Sequence, residues 1–545
     1  MSSTIELLRQ GKRKELWQKY CGFIDLNIQE FMTIQKRLLL EQMKLLDTCH
    51  LGRKIMRGAK PRNVEEFRKL VPLTTYEDYA PYLLESREDV LPEKPLFWQH
   101  TSGRSAENGF KWAPVTQRFY QELGNVLGAI LLFASCRHKG DVNFKEHEKF
   151  LYALAPPPYT TGSWAHRAQE EFNFEFLPSL DKVEGMTFED RVVRGFELAT
   201  SNGLDLLFGL PSVLVAIGER LGQGATEQRL FSLLSRPRTL LRVGKAILKS
   251  KLSGRSLLPK DLWTLKGIGS VGTDASIYRE KIKDMWGRYP LELYGSTESL
   301  IVAMQTWDYE GMTFIPQLNF LEFIPESEHL KWRLDHDYQP DTVLLDELRP
   351  GENYEIVTTS FLGGPFVRYR IGDVVKITAL RNEKLGIDIP QMCFDGRADD
   401  LIDIAGFARL TEKTIWQAIE NTGLAYEDWT ARKEGGEKPV LHLYLELKEN
   451  GDNGHNGNNG HNGNNGNGSR EAVAIAIHKQ LRELDGSYAD LNDMLHLNPL
   501  KVTLLPNGTF QRYIARQRVA GADLAHIKPP HITPPDTVID SLLHC

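Results

Sequence analysis

The spacing of apolar residues predicts helices in the first hundred residues of the chain. Leu39, Met43 and Leu46 recur at intervals of three and four, which places them on one face of a helix. Polar residues such as Thr74 and Thr75 mark where later helices are expected to begin, because their side-chain oxygens can cap exposed backbone N–H groups. The N-terminal region is therefore predicted to be mainly helical.

The pattern changes from about Phe150 onward, where short apolar runs alternate with amphipathic stretches. Three such runs are Leu206–Phe208, Gly267–Gly269 and Leu291–Tyr294. Strands that alternate with helices are typical of a layered α/β core rather than an all-β one. The predicted fold class is therefore α/β, with a large multi-layer N-terminal domain.

Beyond Tyr354–Thr359 the pattern favours short antiparallel strands at Phe366–Tyr369 and Val374–Thr378. A domain boundary fits near Gly396–Asp400. We therefore predict a large domain of residues 1–396 and a small α+β domain of residues 397–545.

The small domain is predicted to contain a strand, a helix and a second strand. The helix is expected at Glu471–Leu484 and the second strand at Lys501–Leu505. The first strand is expected to be half-buried, because leucines occupy every second position of it: Leu441, Leu443, Leu445 and Leu447.

Between the first strand and the helix lies an insert, Glu449–Ser469, built on a repeated Asn-Gly-His-Asn-Gly-Asn unit. It has few side chains to bury and great backbone freedom, so we expect a disordered surface loop. Its histidines, His455 and His461, have the chemistry of metal ligands, but this composition favours a solvated linker.

Composition and charge exclude several classes of protein. The net charge of −6 and the absence of a basic stripe argue against nucleic acid as a partner. No apolar run approaches the roughly 20 residues that span a bilayer, and the charged, amphipathic N-terminus is unlike a signal peptide. The five cysteines are scattered without paired spacing. We therefore expect reduced thiols and a cytoplasmic protein without a membrane partner.

Three short motifs carry candidate chemistry: Thr101–Lys111 (TSGRSAENGFK), Tyr294–Glu298 (YGSTE) and Tyr369–Asp373 (YRIGD). A loop of Ser, Thr and Gly that ends in lysine can wrap a phosphate with N–H groups and hydroxyls while the lysine offsets its charge. A glutamate can hold Mg²⁺ through oxygen, and a late aspartate can accept both hydroxyls of a ribose. Each motif alone is weak evidence; their order and spacing together indicate an enzyme that adenylates a carboxylic acid.

With these motifs the chain resembles the auxin-responsive Gretchen Hagen family of acyl acid amido synthetases, within the acyl-adenylate-forming superfamily. The resemblance extends over about residues 30–535. Phe320–Pro325 and Leu348–Thr359 resemble the family's central run. Its C-terminal markers are matched by Gly396-Arg397, Glu412-Lys413-Thr414, Pro506–Phe510 and Gly521–Pro529.

The resemblance implies a site for ATP and Mg²⁺ on the large domain and a small mobile lid made by the C-terminal domain. Tyr294 would stack on adenine, Thr297 would bind the α-phosphate and Glu298 would coordinate Mg²⁺. Asp373 would bind the ribose hydroxyls, and Arg397 would approach the ribose or phosphate from the hinge. The remaining nucleotide-binding residues would be Ser102, Gly103, Arg104, Ser105, Lys111, Gly272, Thr273, Gly295, Ser296 and Arg370.

Simpler structural roles compete with these assignments. The first motif alone is as consistent with a polar turn between helices. Thr297 could cap a helix in a strand-to-helix turn, with Glu298 in its first turn. Asp373 could form a surface ion pair with Arg370, which would contribute little stability.

The resemblance also implies that Lys528, on the lid, is the catalytic lysine that acts on the carboxylate oxygen and the α-phosphate. The chain departs from the family in two places. Arg104 stands where threonine is usual, and it could either clamp the phosphates or block them. His531 replaces an arginine, so part of the positive charge beside Lys528 is expected to be missing.

The function implied is an ATP-dependent ligase that converts a small carboxylic acid to acyl-AMP and pyrophosphate and then transfers the acyl group to an amine or amino acid. An acyl-CoA ligase would share the first step. A protein that only binds an acyl acid or AMP is the third alternative, and Arg104 would then occlude the phosphates.

Overall fold

The computed structural model describes residues 3–105, 109–183, 185–186, 188–222, 237–272, 275–335, 337–398, 401–404, 408–434, 440–448, 465–486, 488–489, 500–519 and 528–544. The chain divides into two compact units, Met1–Phe394 and Asp395–Cys545. The predicted boundary after residue 396 lies two residues beyond this point. Among the described residues, no helix has both the length and the apolar character that a membrane span requires.

The larger unit begins with helices, as its apolar spacing predicts. In Ile28–Thr48, the predicted stripe of Leu39, Met43 and Leu46 is buried, and Asn27 and Glu30 form a capping box at the start. The described α-helices of this unit are α1 (Thr4–Arg9), α2 (Arg13–Cys21), α3 (Ile28–Thr48), α4 (His50–Ile55), α5 (Val64–Leu70), α6 (Ala80–Leu83), α7 (Gln117–Ser135), α8 (Thr160–Phe172), α9 (Phe188–Asn202), α10 (Pro211–Gly222), α11 (Pro237–Leu252), α12 (Pro259–Leu262), α13 (Ala275–Trp286) and α14 (Glu326–Leu334).

The strands form one hairpin and one large sheet. They are β1 (Pro95–Ser105), β2 (Gly109–Thr116), β3 (Lys149–Ala153), β4 (Glu175–Leu177), β5 (Leu206–Gly209), β6 (Gly267–Val271), β7 (Leu291–Ser296), β8 (Leu300–Met304), β9 (Met312–Phe314), β10 (Asn319–Pro325), β11 (Asn353–Ser360), β12 (Tyr369–Ala379) and β13 (Gln391–Arg397). Strands β1 and β2 pair with each other. The other eleven follow the order β10-β11-β12-β13-β9-β8-β7-β6-β5-β3-β4.

The sheet is parallel from β4 through β3, β5 and β6 to β7, and it becomes antiparallel from β7 to β8. Residues of the parallel strands are buried on both faces, since successive side chains of a strand point to opposite sides. In β5, Leu206 and Phe208 belong to one apolar core, whereas Leu207 belongs to a second core with Trp263 and Trp286. The predicted layered α/β class is confirmed.

The prediction of two separate strands at Phe366–Tyr369 and Val374–Thr378 is wrong. A single strand, β12, begins at Tyr369 and runs to Ala379. Arg368 has φ of +43°, a left-handed conformation that ends the extended backbone on its N-terminal side. Its buried guanidinium explains why the chain accepts this strain: it donates to both oxygens of buried Glu322, at 3.0 and 2.8 Å, and to the carbonyl oxygens of Arg68 and Val71 at 2.6 Å.

The smaller unit is an α+β fold. Its described strands are β14 (Leu401–Ile404), β15 (Ala408–Thr411), β16 (Tyr426–Glu434), β17 (Val440–Leu447) and β18 (Leu500–Leu504), and its described α-helices are α15 (Glu412–Asn421), α16 (Asn465–Leu484), α17 (Thr509–Val519) and α18 (Asp536–Leu543). Strand β17 pairs antiparallel with β16 and parallel with β18, with α16 in the connection. The predicted strand-helix-strand order is confirmed.

Strand β17 is buried on both faces, so the prediction of a half-buried strand is wrong. Leu441, Leu443 and Leu445 belong to a core with residues of α15 and α16. The intervening Tyr444 belongs to a separate core with residues of α17 and α18, such as Phe510 and Leu542. The alternation of leucine with polar residues therefore separates two apolar cores rather than a core from water.

The predicted disordered insert, Glu449–Ser469, falls mostly outside the described residues, as do His455 and His461. Its last five residues, 465–469, belong to α16. The helix therefore begins at Asn465 rather than at the predicted Glu471.

Candidate active site

The Tyr294–Glu298 motif forms the end of β7 and the start of a tight turn. Residues 297–299 connect β7 to the antiparallel strand β8, so the alternative of a strand-to-helix turn is wrong. Gly295 is required by the close pairing of these strands, because a Cβ atom there would lie 1.7 Å from the carbonyl oxygen of Leu300. Leu300 itself has φ of +55°. The turn is held in one conformation by its own backbone.

Two other segments bind this turn at Thr297. The hydroxyl of Thr160, the first residue of α8, donates to Thr297 Oγ1 at 2.8 Å. Gln99, on β1, donates through Nε2 to the carbonyl oxygen of Thr297 at 3.1 Å. Within the turn, the N–H of Ser299 donates to Ser296 Oγ at 3.1 Å. Thr297 is half-buried and lies where strand β1, helix α8 and the β7–β8 turn meet.

Glu298 is buried, and its carboxylate is fixed by the first residue of β12. The hydroxyl of Tyr369 donates to Glu298 Oε1 at 2.7 Å. Burial, and then the Glu298 charge, raise the pKa of Tyr369 well above its ordinary value. Tyr369 therefore stays protonated and acts as a constant hydrogen-bond donor to Glu298.

Asp373 lies on the same face of β12 as Tyr369, and it is bound by a residue of β7, the strand that pairs with β8. Tyr294 donates its hydroxyl to Asp373 Oδ2 at 2.9 Å, and both side chains are buried. The ring of Tyr294 stacks on Phe394 with 5.9 Å between centroids and 23° between planes. Two hydrogen bonds between a tyrosine and a carboxylate, Tyr294–Asp373 and Tyr369–Glu298, thus join β7 and the β7–β8 turn to β12.

The described parts of the Thr101–Lys111 motif, residues 101–105 and 109–111, lie on two antiparallel strands, with Arg104 paired to Phe110 and Ser105 to Gly109. The alternative of a turn between helices is therefore wrong. The predicted contacts of Ser102, Gly103, Arg104 and Ser105 lie outside the described side chains.

Lys111 is the last residue of this motif, and its side chain is half-buried. Its Nζ lies 5.4 Å from the centroid of the Tyr76 ring. The Tyr76 hydroxyl donates to the carbonyl oxygen of Trp112 at 3.0 Å and accepts its N–H at 2.6 Å. Tyr76 therefore fixes both the strand next to Lys111 and the surface over which the ammonium lies.

Gly272 directly follows β6, with φ of +149°, and is exposed; Thr273 lies outside the described residues.

Arg370 is not brought to the same place as Asp373. The two are three residues apart on one strand and so project from opposite faces. Arg370 binds both oxygens of Glu355, at 2.8 and 2.7 Å, and its guanidinium lies 3.9 Å from the Trp332 ring centroid. Although burial raises the pKa of Glu355, the bonds from His329 and Arg370 lower it below its ordinary value. The alternative of an Asp373–Arg370 pair is wrong.

In the smaller unit, Arg397 is the last residue of β13 and is exposed. Lys528 is also exposed, with 64% of its side chain accessible, and its Nζ lies 3.0 Å from Asp428 Oδ2.

His531 restores the charge that was expected to be missing beside Lys528. Its Nδ1 lies 2.6 Å from Glu412 Oε1 and its Nε2 lies 2.9 Å from Asp428 Oδ1. Carboxylates only accept hydrogen bonds, so both ring nitrogens must carry a proton. Burial lowers the pKa of His531, but the two carboxylates outweigh burial and raise it to about 9. The expectation of a missing charge is wrong, because the replacement is an imidazolium.

Sequence reasoning missed several residues that position the predicted ones. They are Tyr76, Gln99, Thr160, Phe394, Glu412 and Asp428. Phe394 lies two residues before the Gly396-Arg397 marker, and Glu412 is the first residue of the Glu412-Lys413-Thr414 marker, for which the sequence indicated no positioning role. The others have no local signal, because their partners are distant in the chain.

Two solved structures share this fold. An AtGH3.15 acyl acid amido synthetase, in complex with 2,4-DB, matches with a TM-score of 0.68 and 18% identity over 98% of this chain and 95% of that one. A 2-hydroxyisobutyryl-CoA ligase, in complex with 2-HIB-AMP, matches with a TM-score of 0.59 and 14% identity over 95% of this chain and 92% of the other. The chain shares the two-unit α/β fold of these structures.

Sequence models of the GH3 family match most of the chain. Its N-terminal domain matches residues 22–163, its central domain residues 312–397 and its C-terminal domain residues 411–536. The chain belongs to the GH3 family.

Curated relatives agree with this assignment. The jasmonoyl–L-amino acid synthetase GH3.5 of Oryza sativa subsp. japonica is 26% identical over 47% of this chain and 44% of its own length. The indole-3-acetic acid-amido synthetase GH3.10 of Arabidopsis thaliana is 26% identical over 54% of this chain and 49% of its own length. The chain thus aligns with less than half of each relative.

Proposed function

We propose that this protein is an acyl acid amido synthetase, which adenylates a carboxylic acid with ATP and transfers the acyl group to an amine or amino acid. The observation that carries the proposal is the pair of buried bonds, Tyr294–Asp373 and Tyr369–Glu298. They hold the two carboxylates, Asp373 on β12 and Glu298 in the β7–β8 turn, where these two segments meet, in a fold shared with adenylate-forming ligases. Membership of the GH3 family favours amide formation.

In the first half-reaction, a carboxylate oxygen of the acid attacks the α-phosphorus of ATP. A P–O bond forms, the bond to the β-phosphate oxygen breaks, and acyl-AMP and pyrophosphate result. The protein's contribution is position and charge. Asp373 would accept the ribose hydroxyls, Thr297 would donate to the α-phosphate and Lys111 would offset the charge of the β- and γ-phosphates.

Glu298 is the residue we propose to hold Mg²⁺. Mg²⁺ prefers oxygen ligands and is usually bound by one or two carboxylates together with phosphates and water. A buried carboxylate oriented by Tyr369, next to the half-buried hydroxyl of Thr297, fits this preference. The ion would neutralise charge on the phosphate oxygens.

In the second half-reaction, the nitrogen of the acceptor attacks the acyl carbon of acyl-AMP, an amide forms, and AMP leaves. A CoA thiol is the competing acceptor, which the likeness of the fold to a CoA ligase supports. A small zwitterion needs one cation for its carboxylate, whereas CoA binding favours a groove of basic residues. We also propose a cytoplasmic location, which suits the free thiols of Cys21, Cys49 and Cys136.

Exchange of labelled pyrophosphate into ATP tests the first step. We expect exchange that depends on the acid within a panel of aryl, indole and fatty acids. Binding of AMP or an acid without exchange for any member would instead support a binding protein. The variant Arg104→Thr then tests whether the arginine side chain blocks the phosphates. If it does, the variant should exchange pyrophosphate faster than the unaltered chain.

The acceptor can be identified from preformed acyl-AMP. With an acid that supports exchange, we expect a mixture of amino acids to yield an amide, detected by mass, and CoA to yield no thioester. If the thioester forms and no amide does, the protein is an acyl-CoA ligase.

Replacing Asp373 by alanine is expected to raise the Michaelis constant for ATP about tenfold to a hundredfold. Loss of a charged hydrogen-bond acceptor typically costs about 1.5–3 kcal/mol. Asp388→Ala is a matched control, because Asp388 is a half-exposed carboxylate of the same unit that pairs with Arg381. An unchanged Michaelis constant in folded Asp373→Ala would refute the ribose assignment.

A further inference from the structure

The segment that carries Lys528 is attached to β16 by an isolated parallel β-bridge between Ile532 and Ala431. The N–H of Ala431, on β16, donates to the carbonyl oxygen of His531 at 2.7 Å, and the N–H of Thr533 donates to the carbonyl oxygen of Ala431 at 2.8 Å. The Thr430 hydroxyl donates to the carbonyl oxygen of Pro530 at 2.6 Å. The backbone of this segment is therefore fixed within three residues of Lys528.

The prolines between Lys528 and His531 stiffen the connection. Pro529 and Pro530 each have φ near −65° and no N–H group to donate. Whatever holds His531 therefore limits where the Lys528 side chain can reach.

His531 is held on all sides. Its ring stacks on Trp429, with 4.4 Å between centroids and 11° between planes, and meets Trp416 edge-on at 4.9 Å. Its two nitrogens bind Glu412 of α15 and Asp428 of β16. An imidazolium between two carboxylates and an indole face is a rigid anchor.

Asp428 links this anchor to the lysine. One carboxylate oxygen, Oδ1, is 2.9 Å from the imidazolium, and the other, Oδ2, is 3.0 Å from Lys528 Nζ. Asp428 is buried whereas Lys528 is largely exposed. Although burial raises the pKa of Asp428, His531 and Lys528 lower it to about 2. A buried carboxylate therefore binds the ammonium of a largely exposed lysine.

We propose that Glu412, Asp428 and His531 are positioning residues that set the location of the Lys528 ammonium on the smaller unit. The role of Lys528 in adenylation rests on the proposed function. The contacts from His531 through Asp428 to Lys528 are independent of it. The imidazolium of His531 orients the Asp428 carboxylate, and this carboxylate orients Nζ of Lys528. Because Pro529 and Pro530 restrict the backbone, the position of His531 also limits the position of the Lys528 backbone.

The same unit contains a matched control, a second group of histidine, carboxylate and lysine. Glu434 binds His442 Nδ1 and lies 2.9 Å from Lys501 Nζ, while His442 Nε2 contacts the hydroxyl of Thr503 at 2.7 Å. The residue types are alike, but burial lowers the pKa of His442 below its ordinary value, whereas the two carboxylates raise that of His531. The group differs in lying at the far end of β16 and in being no part of the segment that carries Lys528.

Trace acetylation of the full chain, read by mass spectrometry, tests positioning without any assay of activity. Asp428→Asn should raise the labelling rate of Lys528 about 1.5- to 5-fold relative to Lys501, as expected for loss of an exposed ion pair. Glu434→Gln should do the reverse, raising Lys501 relative to Lys528. Equal Lys528 labelling in Asp428→Asn and the unaltered chain would overturn the proposal.

The catalytic consequence is tested by acid-dependent pyrophosphate exchange. His531→Ala should lower kcat about tenfold to a hundredfold, the order expected of a misplaced catalytic group, with little change in the Michaelis constant for ATP. His442→Ala should lower kcat much less. His531→Arg should restore most of the rate, because a guanidinium can also pair with both carboxylates and stack on an indole.

The pH profile separates this role from a purely structural one. The unaltered chain should lose rate as pH rises through the His531 pKa of about 9, where the imidazolium is lost. His531→Arg should keep its rate to higher pH, since arginine stays protonated. Identical profiles, or equal losses in His531→Ala and His442→Ala, would overturn the positioning role. If the unaltered chain shows no exchange with any acid, the proposed function fails, while the acetylation result still decides how Lys528 is held.

Discussion

Lys528→Ala is expected to slow acid-dependent pyrophosphate exchange by about a hundredfold to a thousandfold, with little change in ATP binding. Negative charge builds on the α-phosphate and the carboxylate oxygen as the new P–O bond forms. Removal of one donor aimed at such developing charge typically costs a factor of this size. Lys528 suits the role because Asp428 binds its ammonium while 64% of the Lys528 side chain remains exposed.

Lys501→Ala is the control for this variant. Lys501 is also exposed, also pairs with a carboxylate, and also lies in the smaller unit. Its loss should leave exchange nearly unchanged. If the two variants are equally active, Lys528 has no part in adenylation, and another cation of the chain must supply the charge.

Arg368→Ala is expected to destabilise the larger unit by about 3–5 kcal/mol. The Arg368–Glu322 pair is buried, with side-chain exposures of 5% and 1%. Within the part of the chain that the structure describes, removal of Arg368 leaves the buried carboxylate of Glu322 with only Arg68, 3.8 Å away, and the hydroxyl of Thr342. A buried charge that loses its main partner is much more costly than loss of the pair's attraction. The carbonyl oxygens of Arg68 and Val71 also lose their donor. Urea unfolding followed by tryptophan fluorescence of the larger unit measures the change.

Two further variants make this prediction specific. Arg381→Ala removes an arginine that is half exposed and pairs with Glu383 and Asp388, and its cost should be below about 1 kcal/mol. Arg368→Met combined with Glu322→Leu removes both charges and should recover much of the lost stability. If Arg368→Ala is as mild as Arg381→Ala, the buried pair does not stabilise the fold.

The local patterns of the sequence were reliable where one segment suffices to define a structure. The apolar stripe of α3, the alternation of strands and helices after Phe150, and the strand–helix–strand order of the small unit are all present. They follow from periodicity, which depends only on neighbouring residues. The order of the three motifs was likewise enough to indicate the GH3 family.

Errors arose where distant residues decide a local conformation. The sequence around Phe366–Tyr369 favours a strand, but Arg368 takes a left-handed conformation to bind Glu322, 46 residues away. The leucines of β17 predict one buried face, but α17 and α18, which come later in the chain, also bury the other. Long-range packing outweighed local preference in both.

The sequence by itself determined which residue types are candidates for the chemistry: the hydroxyls and carboxylates of YGSTE and YRIGD in the larger unit, and a late lysine in the smaller one. Only the tertiary structure decided how they are oriented and charged. Tyr294 meets Asp373 from 79 residues away, and the proton on His531 is held by carboxylates 103 and 119 residues away. The physical reason is that burial and hydrogen bonding set the orientation and protonation of a side chain, and both depend on which distant segments pack around it.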